Sequence, residues 1–279
     1  MSALHTSSAN SDRKPLVPFL KWPGGKRWFI RNHLSELPTS FNRYFEPFMG
    51  SASVFFALQP QEAILSDQNA ELVNLFNQMK TRHKQLYKAL SDHAKAHSEL
   101  HYYLVRSTVP TDALSRAART LYLNRSCFNG IYRVNMQGEF NVPKGSKESV
   151  LLETDDFSAI AQALRAAKVV RADFEKIIAK AAEGDLIFAD PPYTVQHNNN
   201  GFVKYNEKLF SWSDQERLAL SLRQARERGA HVVATNANHS SVVKLFNDHG
   251  FKTTPLSRFS SISGNGASRK QYEEIVIKD

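Results

Sequence analysis

The sequence predicts an α/β protein in which a βα scaffold surrounds a helical insertion. Short apolar runs that end in acids or turn residues alternate with amphipathic stretches on both flanks of the chain. Between about 81 and 123 the period is helical and no strand is evident. Hydrophobic residues fill 42% of 279 positions, enough to bury a large core.

In chain order, residues 1–14 are rich in Ser, Asn and Thr and carry no periodic apolar face, so a flexible tail is expected. Residues 44–48 read as a buried strand and 51–58 as the helix behind it. Residues 63–66 read as a second strand ending at Asp67. Residues 69–80 place Leu72, Leu75, Phe76 and Met79 on one helical face. Leu86, Leu90, Leu104 and the run 114–123 continue at spacings of three and four. Residues 124–147 break that period with Asn, Gly and Pro, which predicts a loop or a hairpin around Gln137-Gly138. Strand-like runs return at 168–171, 185–189, 231–235 and 274–277, with helical text at 213–228 and 240–249.

Composition narrows the function. No run approaches the roughly 18 apolar residues of a membrane span, and residues 1–14 are not apolar, so neither membrane insertion nor secretion is expected. One cysteine, Cys127, forms no intrachain disulfide, which suits a reducing compartment, and the cytoplasm is the expected location. The formal charge of +9 favours a polyanionic partner but also occurs in proteins that bind none. Residues 119–147 hold Arg119, Arg125, Arg133, Lys144 and Lys147 against Glu139 alone; a solvated face would look the same. Histidines are scattered without metal spacing, so no metal is expected.

The strongest chemical signal is Asp185-Leu-Ile-Phe-Ala-Asp-Pro-Pro-Tyr193, an apolar strand ending in an acid, two prolines and an aromatic ring. Strand ends of open α/β sheets face the ligand crevice. Pro191 and Pro192 fix φ and lack amide donors, so the turn is stiff and offers the Asp190 carboxylate and the Pro191 carbonyl as acceptors. Two acceptors suit an amino group. The exocyclic amine of a base is a poor nucleophile because its lone pair is delocalised; accepting both hydrogens favours the pyramidal, reactive form, and Tyr193 can stack on the base. An ordinary strand-capping turn is the plain alternative.

This motif resembles that of the amino-methyltransferases, and the wider pattern resembles the adenine-N6 DNA methyltransferases of the Dam and DpnII type, the alpha class of the D12 family. The resemblance covers nearly the whole chain. It includes Phe19-Leu-Lys-Trp-Pro-Gly-Gly-Lys26, Phe45-Glu-Pro-Phe-Met-Gly-Ser-Ala-Ser-Val54, Asp67-Gln-Asn-Ala-Glu-Leu72, the segment from Leu121 to Asn135, and Gly138-Glu-Phe-Asn-Val-Pro143, in that family's order. It implies a Rossmann-like S-adenosylmethionine-dependent methyltransferase domain, residues 15–75 and 160–279, with an inserted, mainly helical DNA-recognition domain, residues 76–159. It implies methyl transfer to N6 of an adenine flipped from double-stranded DNA, in GATC or a related site, by a monomer, with a place in restriction-modification among the roles implied.

By the same resemblance Asp190, Pro191, Pro192 and Tyr193 are catalytic. Trp22, Lys26, Glu46, Phe48, Gly50, Asp67 and Asp190 hold S-adenosylmethionine, Asp67 by accepting a ribose hydroxyl pair. Lys21, Arg125, Phe128, Asn129, Ile131, Arg133, Asn135 and Pro143 meet DNA, with Phe128 and Asn129 near the orphaned base. Three positions depart from the pattern. Ala52 stands where the family usually has a second glycine, and Lys144 and Ser146 stand where an aromatic residue and an arginine are common. Residues 194–205, with Phe202 and Tyr205, are the expected mobile cover, and 261–270 the expected phosphate-tracking segment. A P-loop at Gly24-Gly25-Lys26 is rejected: its first glycine would fall at Leu20, and Arg27 replaces the Ser or Thr after the lysine. The rivals are a noncatalytic DNA-binding protein on the same scaffold, separated by cofactor binding, and an enzyme acting on RNA or a protein amide.

Overall fold

A computed structural model describes residues 7–8, 16–135, 137–194, 210–258 and 272–279. The expected cover beyond Thr194, with Phe202 and Tyr205, the segment 261–270 and the expected tail, apart from the two-residue strand Ser7–Ser8, lie outside the described residues. The chain divides into two compact units. One comprises Met1–Ser7, Ser35–Phe48 and Asp173–Asp279, the other Ser8–Leu34 and Met49–Ala172.

The first unit is built on strands in the spatial order Tyr44–Glu46, Leu186–Ala189, His231–Ala237, Tyr272–Lys278 and Lys252–Arg258. The first three run parallel, with Tyr44 opposite Leu186 and Leu186 opposite His231. The last two pair antiparallel. Leu186–Ala189 is apolar throughout and buried at every position, as a strand covered on both faces must be. Its entry is fixed by charge: the Asp185 carboxylate accepts from the Arg43 backbone amide at 3.0 Å and from Arg43 Nη2 at 2.6 Å, joining the starts of two neighbouring strands. Helix Trp212–Glu227 begins on a capping box in which Ser211 and Asp214 exchange side-chain and backbone hydrogen bonds.

In the second unit Ala63–Asp67 pairs parallel with Ala167–Arg171 over five residues. Asn69 caps the following helix, Ala70–Lys95, by accepting from the amides of Glu71 and Leu72. Leu72, Leu75, Phe76, Met79, Leu86 and Leu90 line its buried face, so the predicted face over 69–80 continues for three further turns past a kink at Arg82. Helix Ala113–Ser126 packs along it. Asn77 Nδ2 and Lys80 Nζ donate to the carbonyls of Val169 (3.3 Å) and Ala167 (2.7 Å), so the strand pair is stapled to the same helix that carries the insertion. No helix among the described residues is long and apolar enough to cross a membrane.

Candidate functional site

In the first unit the buried strand Leu186–Ala189 delivers Asp190 at its end, next to the two prolines. Asp190 Oδ1 accepts from Thr235 Oγ1 at 2.8 Å, and Thr235 is fully buried on the neighbouring strand His231–Ala237. Tyr193 donates its phenol proton to Glu274 Oε2 at 2.8 Å. Burial, then the carboxylates of Asp190 and Glu274, hold that phenol well above its ordinary range, so it stays a neutral donor. Beyond it, Thr194 Oγ1 donates to the Phe210 carbonyl at 2.6 Å, Gln215 Nε2 to the Thr194 carbonyl at 3.3 Å, and Asn236 Nδ2 to Gln215 Oε1 at 3.0 Å. Asp190 and Tyr193, the two ends of the tetrapeptide, are thus held by hydrogen bonds, and Thr194 after them is anchored in turn. Glu46 is buried and its Oε2 accepts from Tyr44 at 2.9 Å. Phe48 is half-buried against the rings of Phe174 and Phe210, at 5.4 and 5.5 Å.

Sequence reasoning missed Thr235, Asn236, Gln215 and Glu274. A faint signal existed: Thr235-Asn236 follows Val232-Val-Ala234 in a strand, and polar residues on a buried strand need partners.

In the second unit the structure brings Trp22, Gly50 and Asp67 together. Asp67 accepts from the Asn69 amide on Oδ1 at 2.9 Å and from the Gly50 amide on Oδ2 at 3.2 Å, bridging the turn after Met49 to the start of the long helix. The helix cap is Asn69, which leaves Asp67 outside that role. Burial lifts the Asp67 carboxyl above its usual value, and hydrogen bonds from the Asn69, Gly50 and Gln68 amides pull it partly back. Gly50 has φ +45°, and a Cβ there would sit 2.9 Å from Trp22 Cδ1, so only glycine allows this approach. Ala52 takes the left-handed conformation, φ 51° and ψ 38°, that a glycine adopts freely; the turn keeps its shape at a cost of about 1 kcal/mol. Lys26 is buried, and its Nζ donates to the Gly24 carbonyl at 3.0 Å, closing its own turn.

The DNA-facing candidates separate clearly. Residues 124–126 continue helix Ala113–Ser126 instead of starting a loop, and this overturns the expectation for Arg125. Its guanidinium is buried, binds both oxygens of Asp155 at 2.6 and 2.7 Å, and donates to the carbonyls of Phe19 (2.7 Å) and Val150 (3.0 Å). It is a structural cation. Asn135 is likewise engaged: its Oδ1 accepts from the Gln137 and Glu139 amides and its Nδ2 donates to Glu139, holding the turn of the expected hairpin, in which Val134 pairs with Phe140. By contrast Phe128 is 52% and Ile131 40% exposed, Arg133 and Pro143 are exposed, and Asn129 stands in the left-handed region with φ 55°. Lys21 is exposed beside Lys147 and Arg27. Contact with Lys147, burial and the neighbouring charges of Lys147 and Arg27 lower its pKa. Among the described residues no group of three or more His, Cys, Asp or Glu is placed to hold a metal ion.

The model of the D12 class N6 adenine-specific DNA methyltransferases matches residues 22–262. The type II methyltransferase M1.LlaDCHI of Lactococcus lactis subsp. cremoris is 33% identical, over 94% of this chain and 95% of its own length. The DNA N-6-adenine-methyltransferase of Escherichia phage P1 is 35% identical over 94% of this chain, which spans 36% of that longer protein. The DNA adenine methylase of Vibrio cholerae O395 is 30% identical, covering 92% and 94%.

Removing Asp155 tests the structural role of Arg125. Asp155→Ala strands a buried guanidinium, at a cost of about 3–5 kcal/mol. In a chain of this size that lowers the melting temperature by roughly 6–15 °C. A calorimetric melting point unchanged from wild type would show that Arg125 has no such job.

Proposed function

The chain belongs to the D12 class of N6 adenine-specific DNA methyltransferases, and from that premise we propose that it methylates an adenine flipped out of duplex DNA, within GATC or a related site, with S-adenosylmethionine as the donor and acting as a monomer. The observation that carries this reading is the fixed acceptor set at the end of Leu186–Ala189: a carboxylate braced by Thr235, followed by two prolines and a tyrosine pinned to Glu274.

The Asp190 carboxylate and the Pro191 carbonyl accept the two N6 hydrogens, drawing the amine toward the pyramidal form in which its lone pair is free. Asp190, being anionic, also stabilises the positive charge that develops on N6. The surplus proton then leaves to water, since a protonated arylamine is strongly acidic. When bound, S-adenosylmethionine supplies a methyl group already activated by its sulfonium. The residues present fit it. Asp67 has two oxygens with lone pairs beyond those its backbone donors occupy, enough for a ribose hydroxyl pair. Gly50 and Trp22 leave an aromatic face beside a turn too narrow for a Cβ. Lys26, Glu46 and Phe48 complete the assignment, Lys26 by holding the turn and Glu46 and Phe48 by resemblance to the family's motif.

Extruding an adenine costs a few kcal/mol, offset by stacking on Tyr193 and by filling of the gap. The exposed ring of Phe128, with Asn129, serves the gap. Ile131, Arg133 and Pro143 read neighbouring pairs, and Lys21, with Lys147 and Arg27, meets phosphate. The noncatalytic rival rested on Ala52, and the preserved turn removes its ground.

Expression in cells lacking adenine methylation, with modified positions mapped by sequencing, should reveal one recurring adenine-containing site. Asp190→Ala should leave none, and label appearing in RNA or protein instead of DNA would reject the reading. Thr235→Val removes a hydrogen bond to a charged group, about 1.5–3 kcal/mol, and should lower the melting temperature by roughly 3–10 °C and, in the folded enzyme, lower kcat roughly tenfold or more.

The raised pKa of Asp67 sets a pH dependence. Only the ionised carboxylate accepts two hydroxyls, so affinity for S-adenosylmethionine should fall as pH drops through a value above the ordinary Asp figure of about 3.9. Because the folded-state pKa is raised, protonation of Asp67 itself favours the fold, so binding lost through Asp67 precedes any unfolding that this group could cause, and a melting curve at each pH separates the two. Asp67→Asn should bind weakly with a flat profile; a wild-type profile in acid as flat as that of Asp67→Asn counts against the assignment. Lys147→Ala should weaken DNA binding and reduce the slope of log K against log salt by about one. An unchanged slope places Lys147 away from phosphate.

A further inference from the structure

The segment that carries the exposed DNA-facing side chains is fastened to the turn Lys21–Lys26 in two ways. Asn124 mimics a strand partner: its Oδ1 accepts from the Lys21 amide at 3.0 Å and its Nδ2 donates to the Lys21 carbonyl at 2.7 Å. The same Nδ2 reaches the Gly130 carbonyl at 3.4 Å. One residue beyond Lys21 and two beyond Gly130, the indole of Trp22 and the phenol ring of Tyr132 stack with centroids 4.9 Å apart and planes 26° apart. Tyr132 also sets its edge against the buried ring of Phe140, at 5.6 Å, across the hairpin. Trp22 meanwhile abuts Gly50, whose amide is held by Asp67. A continuous line of contacts therefore runs Asp67, Gly50, Trp22, Tyr132, Phe140, from the proposed donor site into the proposed DNA-reading hairpin.

We propose that Tyr132 is a positioning residue for methyl transfer, its stack on Trp22 coupling the donor turn to the DNA-reading hairpin so that each ligand tightens the other. The proposal rests on the donor and DNA assignments above. An indole has two faces. Tyr132 covers one and limits the tilt of the ring, so a donor that orders Trp22 also orders the residues on either side of Tyr132, namely Ile131 and Arg133. DNA that orders those residues returns the effect to Trp22. Thermodynamic linkage makes the two effects equal in size.

Calorimetry on the full chain measures the coupling. The dissociation constant of sinefungin, a nonreactive analogue of the donor, is determined with and without a duplex oligonucleotide carrying the mapped site, and that of the duplex with and without sinefungin. The wild type should show the same tightening in both directions, about tenfold. Tyr132→Phe keeps the stacked ring and should keep the factor. Tyr132→Ala should reduce it to less than twofold, with each ligand still binding alone. A purely structural role would lower the melting temperature and leave the factor in place, and that result overturns the proposal. So does a wild type with no coupling, or loss of coupling in Tyr132→Phe as well. If the wild type binds neither sinefungin nor duplex, the functional reading itself fails; if it binds both and only the factor ignores Tyr132, this inference alone falls.

Discussion

A carboxylate proposed to accept hydrogen bonds from a weakly nucleophilic amine cannot be left to find its own orientation, and the first unit holds Asp190 accordingly. Asp190 follows a strand whose entry is locked by the Arg43–Asp185 pair and whose body is buried at every residue. Two prolines then forbid backbone rearrangement on its far side. A donor that meets its side chain, Thr235, comes from a strand paired in parallel register with Leu186–Ala189. Preorganised groups act without reorganising when charge develops, which is where catalytic stabilisation is largest. The buried chain Asn236, Gln215, Thr194 follows from the same need: polar groups in a core are tolerable when every partner is present, and they then specify one arrangement.

The second unit solves a related problem with backbone instead of side chain. Asp67 ties the Gly50 turn to the helix start through two amides, so the carboxylate fixes the turn and keeps lone pairs in reserve. Gly50 admits Trp22 because it lacks a Cβ, and Ala52 accepts a left-handed conformation to preserve the same turn. The motif's shape therefore survives the loss of its second glycine at a small energetic cost, because the conformation and not the residue is what the turn requires.

Much of this was legible in the sequence because it is local. The apolar run before Asp190, the face of Leu72, Leu75, Phe76 and Met79, and the turn near Gly138 each follow from spacing within about a dozen residues. What was not legible depends on partners distant in the chain. Arg125 looks like a DNA contact in a basic segment, yet it is claimed by Asp155, thirty positions on, because the helix runs to Ser126 and turns it inward. Asn135 looks like a base reader but folds its amide onto the hairpin it belongs to. Glu274 and Tyr193 are 81 positions apart and meet only once the antiparallel strand Tyr272–Lys278 is in place.

These two reassignments sharpen the proposed basis of sequence recognition. Lys144, a departure from the family pattern, is half-buried, pairs with Glu148 at 3.2 Å, and lies opposite Cys127 in a short bridge, so it closes the segment without presenting itself. The closure is completed by the Phe128 amide on the Pro143 carbonyl and the Gly145 amide on the Ser126 carbonyl, at 2.9 and 2.8 Å. With Arg125 engaged inward and Asn135 and Lys144 paired within the segment, the candidate readers left exposed are Phe128, Asn129, Ile131, Arg133 and Pro143. Apolar side chains discriminate through the thymine methyl, and arginine through guanine O6 and N7. Base pairs of both kinds beside the target adenine are what the proposed readers would suit.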